Sequence, residues 1–133
     1  MRRSMLMLGL AAAAVQAQAE PAAAVDGKTV FAKNCAACHQ ATGAGIPGAF
    51  PALKGNPYLQ GEPDPVIATV LKGRAGMPAF AASLDDVQLA AVLTYARGAW
   101  GNKAGAVTAE QVSTVRNAAN APASTQEKAT IIH

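Results

Sequence analysis

The chain has 133 residues, 14% of them charged, and a formal net charge of +3 at pH 7. Two of its eleven cationic residues are Arg2 and Arg3, so the remainder carries about +1, which excludes the strongly basic surface typical of nucleic-acid binding. The length fits one domain. Aromatic residues make up only 5%, and because small side chains bury little area each, the composition favours a bulky apolar prosthetic group in the core.

The N-terminus predicts an export signal. Arg2-Arg3 precede an apolar run from Met5 to Val15, and the small residues Ala17-Gln18-Ala19 follow. The run is too short for a membrane-spanning helix of roughly 20 residues, and the order of charged, apolar and small segments is typical of a signal peptide. We therefore predict a signal peptide over residues 1–19, cleaved near Ala19, and a periplasmic mature protein. An uncleaved anchor is the alternative, and the arginine pair leaves twin-arginine export open.

An Ala/Pro linker is predicted over residues 20–25, and a first helix follows it. Asp26 is a suitable N-cap for a helix over residues 27–34, with Phe31 on its apolar side. Glycine and proline are frequent in residues 41–58, which predicts loop rather than helix or strand.

Two further helices are predicted in the middle of the chain. Asp64-Pro65 offers an N-cap and a proline at the first helical position, and Gly73 ends this helix. The clearest helix has Asp85 as N-cap and Gln88 three residues later, a variant capping box, and Gly98 ends it.

A second capping box, at Thr108 and Gln111, predicts a short last helix. Residues 118–133 are small and polar, and we predict a disordered tail there. No run of alternating apolar and polar residues predicts a strand. The predicted fold class is therefore all-α, with one domain over residues 26–117.

Both cysteines of the chain, Cys35 and Cys38, lie in the stretch NCAACHQ and are followed by His39. A structural disulfide would close a very small loop and add little stability. A thioredoxin-like dithiol needs a βαβ setting, and a structural zinc site needs four ligands, whereas the only other histidine is His133. C-x-x-C-H is also the attachment signature of c-type haem. Because the motif follows an export signal and uses both cysteines, we predict one covalently attached haem c with His39 as an iron ligand.

A second axial ligand is a consequence of this prediction. A histidine and a methionine on the iron give a relatively high reduction potential suited to electron transfer. Of the four methionines, only Met77 lies outside the predicted signal peptide. Gly76 allows close backbone approach and Pro78 stiffens the loop. The alternatives are a core gap-filler or an exposed loop residue; we predict that Met77 is the distal ligand.

The chain resembles a small bacterial class I c-type cytochrome over roughly residues 26–100. Gly27-x-x-x-Phe31 resembles the N-terminal helix of that family, and Val92 with Tyr95 resembles its partner on the C-terminal helix. The resemblance implies an all-α fold, with helices and Gly/Pro-rich loops around one haem and with the two helices crossing closely at Gly27.

The segment FPALKGN, residues 50–56, resembles the family's Pro-x-Leu-x-Gly segment. This match implies that the carbonyl of Pro51 accepts the Nδ1 proton of His39, which fixes the ring orientation, and that Leu53 packs on the haem. Without the family, both would be ordinary loop and core residues. Gly-Met-Pro at 76–78 matches the family's methionine loop.

Arg74, Tyr58 and Trp100 are candidates for hydrogen bonds to haem propionates, the alternatives being a solvated Arg74 and a buried Trp100. The end of the chain, from Trp100 to Arg116, resembles the end of cytochrome domains that serve membrane-bound quinoprotein and flavin dehydrogenases. This shorter resemblance indicates a dehydrogenase partner.

Ligands on both faces of the iron would leave no open coordination site. The leading prediction is therefore an exported single-electron carrier, not an enzyme, between a periplasmic or membrane dehydrogenase or quinol-oxidising complex and a terminal oxidase or reductase. We expect a monomer that docks transiently, with Lys54 and Lys72 as candidate docking residues. The alternatives are a cytochrome c subunit stably bound in an oxidoreductase complex, such as an alcohol-type dehydrogenase or oxidase, and an enzyme or gas sensor with a displaceable sixth ligand.

Overall fold

A computed structural model of the chain describes residues 24–122. In this range the chain forms five helices in the order α1 (Gly27–Asn34), α2 (Ala36–His39), α3 (Pro63–Lys72), α4 (Asp86–Gly98) and α5 (Ala109–Asn120). None of the described residues lies in a strand, and the β-type pairing within this range consists of two isolated bridges, Ile46 with Phe50 and Arg74 with Met77. The predicted all-α fold is confirmed.

Polar side chains start three of the helices where the sequence predicts them. The carboxylate of Asp26 accepts hydrogen bonds from the backbone N–H groups of residues 28 and 29 at the start of α1. The Thr29 hydroxyl donates to the same carboxylate, and this bond holds the pKa of Asp26 below its usual value. Complete capping boxes start α4, at Asp85 and Gln88, and α5, at Thr108 and Gln111.

The predicted start of α3 is wrong by two residues. The N-cap is Glu62, whose side chain makes no capping bond, and Pro63 is the first helical residue. The first backbone N–H groups of a helix have no carbonyl partner within it, so prolines at positions 63 and 65 both fit in the first turn. Asp64 therefore lies inside the helix, where its carboxylate faces the positive end of the helix dipole. Gly73 ends the helix with a φ of 75°.

The ends of the chain extend beyond the described residues. The predicted signal peptide, most of the linker and residues 123–133 of the predicted tail lie outside them. α5 continues to Asn120, three residues into the stretch predicted as a tail. Within residues 24–122, no helix is long and apolar enough to cross a membrane.

Helices α1 and α4 cross with their backbones almost in contact. A Cβ on Gly27 would overlap the carbonyl oxygen of Ala91 and lie 2.7 Å from its carbonyl carbon. Beside this crossing three aromatic rings pack together, with centroids 5.2–5.7 Å apart: Phe31, Tyr95 and Trp100. The close crossing at Gly27 that the cytochrome resemblance implies is therefore present.

Helix α5 packs against α3 and α4 through the fully buried Val112. Arg116 fixes its position, because its guanidinium donates to the Asp86 carboxylate over 2.7 Å and to the carbonyls of Ala81 and Leu84. These bonds connect α5 to the turn that leads from the Met77 loop into α4.

We expect Gly27→Ala to lower the free energy of unfolding by about 2–3 kcal/mol, because the added methyl group overlaps backbone atoms that cannot turn away. Gly98→Ala is the matched control: Gly98 also lies in a helix, but a Cβ there meets no atom within 4 Å. This control should leave stability unchanged or raise it by up to about 1 kcal/mol. Chemical denaturation of both variants measures the difference, and equal effects would contradict the close crossing.

Candidate haem-binding site

Cys35 joins the first two helices, because it caps the end of α1 and precedes the single turn of α2. The backbone N–H of His39 donates to the carbonyl of Cys35 over 2.9 Å, so the motif C-A-A-C-H is wound into one helical turn. Residues three apart on such a turn lie on the same side, which brings the two thiols onto one side. Both cysteines are unpaired and half-buried.

The thiol of Cys35 is held in its neutral form. Burial, and secondarily the neighbouring Cys38, raises the pKa of the Cys35 thiol from 9.0 to about 11. Redox-active C-x-x-C pairs depend on the opposite shift, a thiol pKa lowered by nearby positive charge or a helix terminus. The environment of Cys35 therefore disfavours the dithiol alternative and suits a cysteine that serves as an attachment point.

The ring of His39 is oriented by the chain that follows it. His39 is only 8% exposed, and its Nδ1 lies 2.9 Å from the carbonyl oxygen of Pro51. A carbonyl can only accept, so Nδ1 carries the proton, and in the neutral imidazole the lone pair is then on Nε2. Nε2 has no hydrogen-bond partner among the described residues, yet no fully buried side-chain nitrogen or oxygen there lacks one. Nε2 therefore faces accessible space, as a ligand to a bound group must.

Gly45 supports the carbonyl of Pro51 from below. Its N–H donates to the carbonyl of His39 over 3.0 Å, and its φ is +64°. A Cβ at this position would lie 2.5 Å from the Phe50 carbonyl oxygen and 2.7 Å from that of Pro51. Only glycine leaves the room that the His39–Pro51 hydrogen bond needs.

Leu53 and Met77 lie in different surroundings. Leu53 is half-buried and packs against the hydrophobic core, and its N–H donates to the carbonyl of Gly43 over 2.8 Å. Met77 is also half-buried but lies outside the core cluster, which disfavours its role as a core gap-filler. Paired backbone hydrogen bonds between Met77 and Arg74, of 2.9 and 3.2 Å, fix the turn that presents its thioether.

Two of the three propionate candidates have their polar groups committed within the protein. The hydroxyl of Tyr58 donates to the carbonyl of Pro65 and lies 2.8 Å from the Thr69 hydroxyl. The indole N–H of Trp100 donates to the carbonyl of Ala41. Arg74 is exposed, with its guanidinium carbon 5.7 Å from the centre of the Tyr58 ring.

These side chains fit haem c by their donor chemistry. The two thiols on one side of a turn are available for thioether bonds, and the imidazole of His39 follows them directly in the chain. Met77 is half-buried, and its thioether is a second donor of the type found on electron-transfer haems.

Comparison with known proteins gives the class of this chain. The family described as cytochrome c oxidase, cbb3-type, subunit III matches residues 22–95, more than half of the chain. The chain belongs to this family of c-type cytochrome domains. The predictions of a c-type cytochrome and of an electron-transfer role are thereby confirmed, and the family implies haem c as cofactor.

Relatives include subunits of larger assemblies and a small cytochrome. The chain is 35% identical over 108 residues to the alcohol dehydrogenase (quinone) cytochrome c subunit of Gluconacetobacter polyoxogenes, covering 71% of this chain and 23% of the relative. Against the gluconate 2-dehydrogenase cytochrome c subunit of Pantoea cypripedii it is 38% identical over 104 residues, covering 68% and 24%. Against cytochrome c-552 of Thermus thermophilus it is 38% identical over 93 residues, covering 58% and 70%. The chain thus spans about a quarter of the two dehydrogenase subunits.

Two residues of the site escape prediction from the sequence. Gly45 is one of several glycines in its loop, and no local pattern marks it as the residue beneath the Pro51 carbonyl. Asn102 is 4% exposed and forms hydrogen bonds with Gly55 and Leu53. These partners lie 47 and 49 positions earlier in the chain, a separation that no short motif reveals.

We expect Gly45→Ala to destabilise the protein by at least about 1 kcal/mol more than Gly48→Ala, because only the first adds a contact with backbone atoms. Gly48 has a φ of +77° but open space around its Cα, so its replacement carries only the left-handed backbone cost of about 1–2 kcal/mol. Thermal unfolding of both variants tests this difference. If Gly48→Ala lowered the stability as much as Gly45→Ala, a close contact between Gly45 and the Pro51 carbonyl would be contradicted.

Proposed function

We propose that the chain is an exported single-electron carrier with one covalently attached haem c. Cys35 and Cys38 attach it, His39 and Met77 are its axial ligands, and Pro51 and Leu53 orient and pack against it. The observation that carries this proposal is the 2.9 Å bond from His39 Nδ1 to the Pro51 carbonyl. It leaves the lone pair of Nε2 free to bind a metal, and His39 shares one helical turn with the two half-buried cysteines.

The cysteines limit the number of attached groups. The whole chain contains two, and each thiol would add across one vinyl group: the S–H bond and the vinyl π bond break, one vinyl carbon gains the sulfur, and the other gains the hydrogen. This supports one covalent haem per chain. The small side chains of Ala36 and Ala37 between the cysteines leave the thiols unobstructed.

Haem c, when bound, supplies a one-electron couple between Fe(III) and Fe(II). His39 and Met77 would hold the iron: the Pro51 carbonyl orients the His39 ring, and the paired bonds between Arg74 and Met77 fix the backbone of Met77. Two such ligands would leave no position on the iron for a substrate and would favour electron transfer with little change in geometry. This supports a carrier rather than a catalyst or a gas sensor.

The predicted export signal places this carrier in the periplasm. Its donor would be a dehydrogenase or quinol-oxidising complex and its acceptor a terminal oxidase or reductase. Lys54 and Lys72 are both exposed, and a few lysines favour transient, salt-sensitive docking of a monomer. The relatives that are subunits of dehydrogenases support redox partners of this class.

A stably bound cytochrome c subunit is the second candidate, favoured by the dehydrogenase subunits among the relatives. It predicts that the protein isolated from its native membranes co-purifies with a catalytic subunit. Isolation as a free monomer from the periplasmic fraction would favour the carrier instead.

Covalent attachment predicts that the haem stays with the chain in a denaturing gel. The wild-type protein should retain haem-dependent peroxidase staining after denaturation, whereas the double variant Cys35→Ala, Cys38→Ala should lose it because no thioether can form. The single variants should retain one bond at most. Loss of the stain from the wild-type band would exclude covalent attachment.

Ligation by Met77 predicts a sulfur-to-iron absorption band in the ferric protein and negligible carbon monoxide binding in the ferrous protein. Met77→Ala and Met77→Leu should both lose the band and bind carbon monoxide, because neither side chain has a donor. Met77→Leu keeps most of the volume and therefore separates loss of the sulfur from loss of packing. Ready binding of carbon monoxide by the wild type would instead support the sensor alternative.

A further inference from the structure

The turn after α4 is held in an unusual backbone conformation. Trp100 has a φ of 55° and Gly101 a φ of 88°. A bulky residue in the left-handed region is uncommon and persists only where its surroundings hold it there. The contacts of Trp100 and Asn102 supply that constraint, and both residues bond to the loops around His39.

Asn102 connects α4 to the loop that carries Leu53. Its Oδ1 accepts from the N–H of Gly55 over 2.8 Å, and its Nδ2 donates to the carbonyls of Leu53, over 3.1 Å, and Ala96, over 2.9 Å. A buried amide with both ends bonded in this way holds its partners at fixed distances. Asn102 therefore fixes the chain two residues after Pro51 to the rigid end of α4.

Trp100 fixes the loop that precedes Pro51 in the chain, at Ala41 and Gly43. Its indole N–H donates to the carbonyl of Ala41 over 2.9 Å, and its ring lies so close to Gly43 that a Cβ there would be 2.5 Å from the ring. The carbonyl of Gly43 in turn accepts from the N–H groups of Leu53 and Lys54. The loop fixed by Trp100 and the loop that carries Leu53 thus meet at Gly43.

We propose that Asn102 is a positioning residue, which with Trp100 holds the Pro51 carbonyl on Nδ1 of His39 and so sets the donor strength of that imidazole. The proposal rests on the proposed role of His39 as an iron ligand. Its geometric basis is the location of Pro51. The loop before it is fixed to Trp100 at Ala41, and the segment after it is fixed to Gly43 and Asn102 through Leu53.

The hydrogen bond at Nδ1 makes the imidazole a stronger donor, which favours the ferric state of a bound haem. Loosening the Pro51 carbonyl weakens this bond and therefore favours the ferrous state. A change at Asn102 should thus raise the reduction potential, although the proposal requires no contact between Asn102 and the haem or either ligand.

The test is the near-isosteric variant Asn102→Leu in the haem-loaded protein. We expect a shift in the one-electron equilibrium of up to roughly tenfold towards Fe(II), which corresponds to about 59 mV. The Nδ1 proton of His39 should also exchange faster with solvent in the NMR spectrum of the reduced protein. An unchanged potential and exchange rate would overturn the proposal.

Thr94→Val is the matched control. The Thr94 hydroxyl bonds to both the N–H and the carbonyl of Val107, over 3.0 and 3.1 Å, so it fixes the same post-α4 segment to the helix without bonding to the loops around Pro51. This variant should lower stability but leave the potential and the Nδ1 exchange rate unchanged. Equal shifts in both variants would reduce Asn102 to a general structural role and overturn the proposal.

Trp100→Phe is a second probe if Asn102→Leu does not accumulate. It removes the bond to Ala41 but keeps an aromatic ring, so we expect a smaller shift in the same direction, and no shift would overturn the proposal. Haem staining distinguishes failure of the proposed function from failure of the proposed role of Asn102. A wild type without haem contradicts the proposed function, whereas normally loaded variants with unchanged potentials contradict only the role of Asn102.

Discussion

The hydrogen bond between His39 and Pro51 is the interaction on which the arrangement of the candidate site depends. It joins the end of the C-x-x-C-H turn to a loop without regular secondary structure. The histidine side chain and the Pro51 carbonyl therefore do not belong to one helix that could position both. The surrounding structure therefore has to hold each partner separately. The histidine is held through α1, and the carbonyl through the turn after α4.

The two supports meet at the crossing of α1 and α4. Because Gly27 has no side chain, the backbones approach closely, and beside the crossing Phe31 of α1 packs against Tyr95 and Trp100. α1 leads directly into the cysteine turn, and α4 leads directly into Trp100 and Asn102. A change in the crossing would therefore move His39 and the Pro51 loop relative to each other, which explains why a small domain keeps so tight a contact between two helices.

Features decided by neighbouring residues could be predicted from the sequence, and features decided across the fold could not. The N-cap of α1, both capping boxes and the helix-ending glycines at positions 73 and 98 involve residues at most four apart, and all are present. The start of α3 was missed because two prolines and an aspartate permit more than one start, and the chain selects Glu62 without a side-chain cap. The hydrogen bond at Pro51 came from the family resemblance and not from local chemistry. Gly45 and Asn102 escaped prediction because their roles exist only once distant segments are together.

The few aromatic side chains are divided between a packed cluster and partly exposed positions. Half of the six aromatic residues form the cluster at the α1–α4 crossing. Other large apolar side chains are partly exposed: Phe50 by 37%, Tyr58 by 45% and Ile46 by 41%. A domain with so few large side chains gains stability by burying them, yet these three remain partly exposed within residues 24–122. If haem covers these side chains, as the proposed function implies, its binding also stabilises the loops around His39, because a ligand that binds only the folded state stabilises that state.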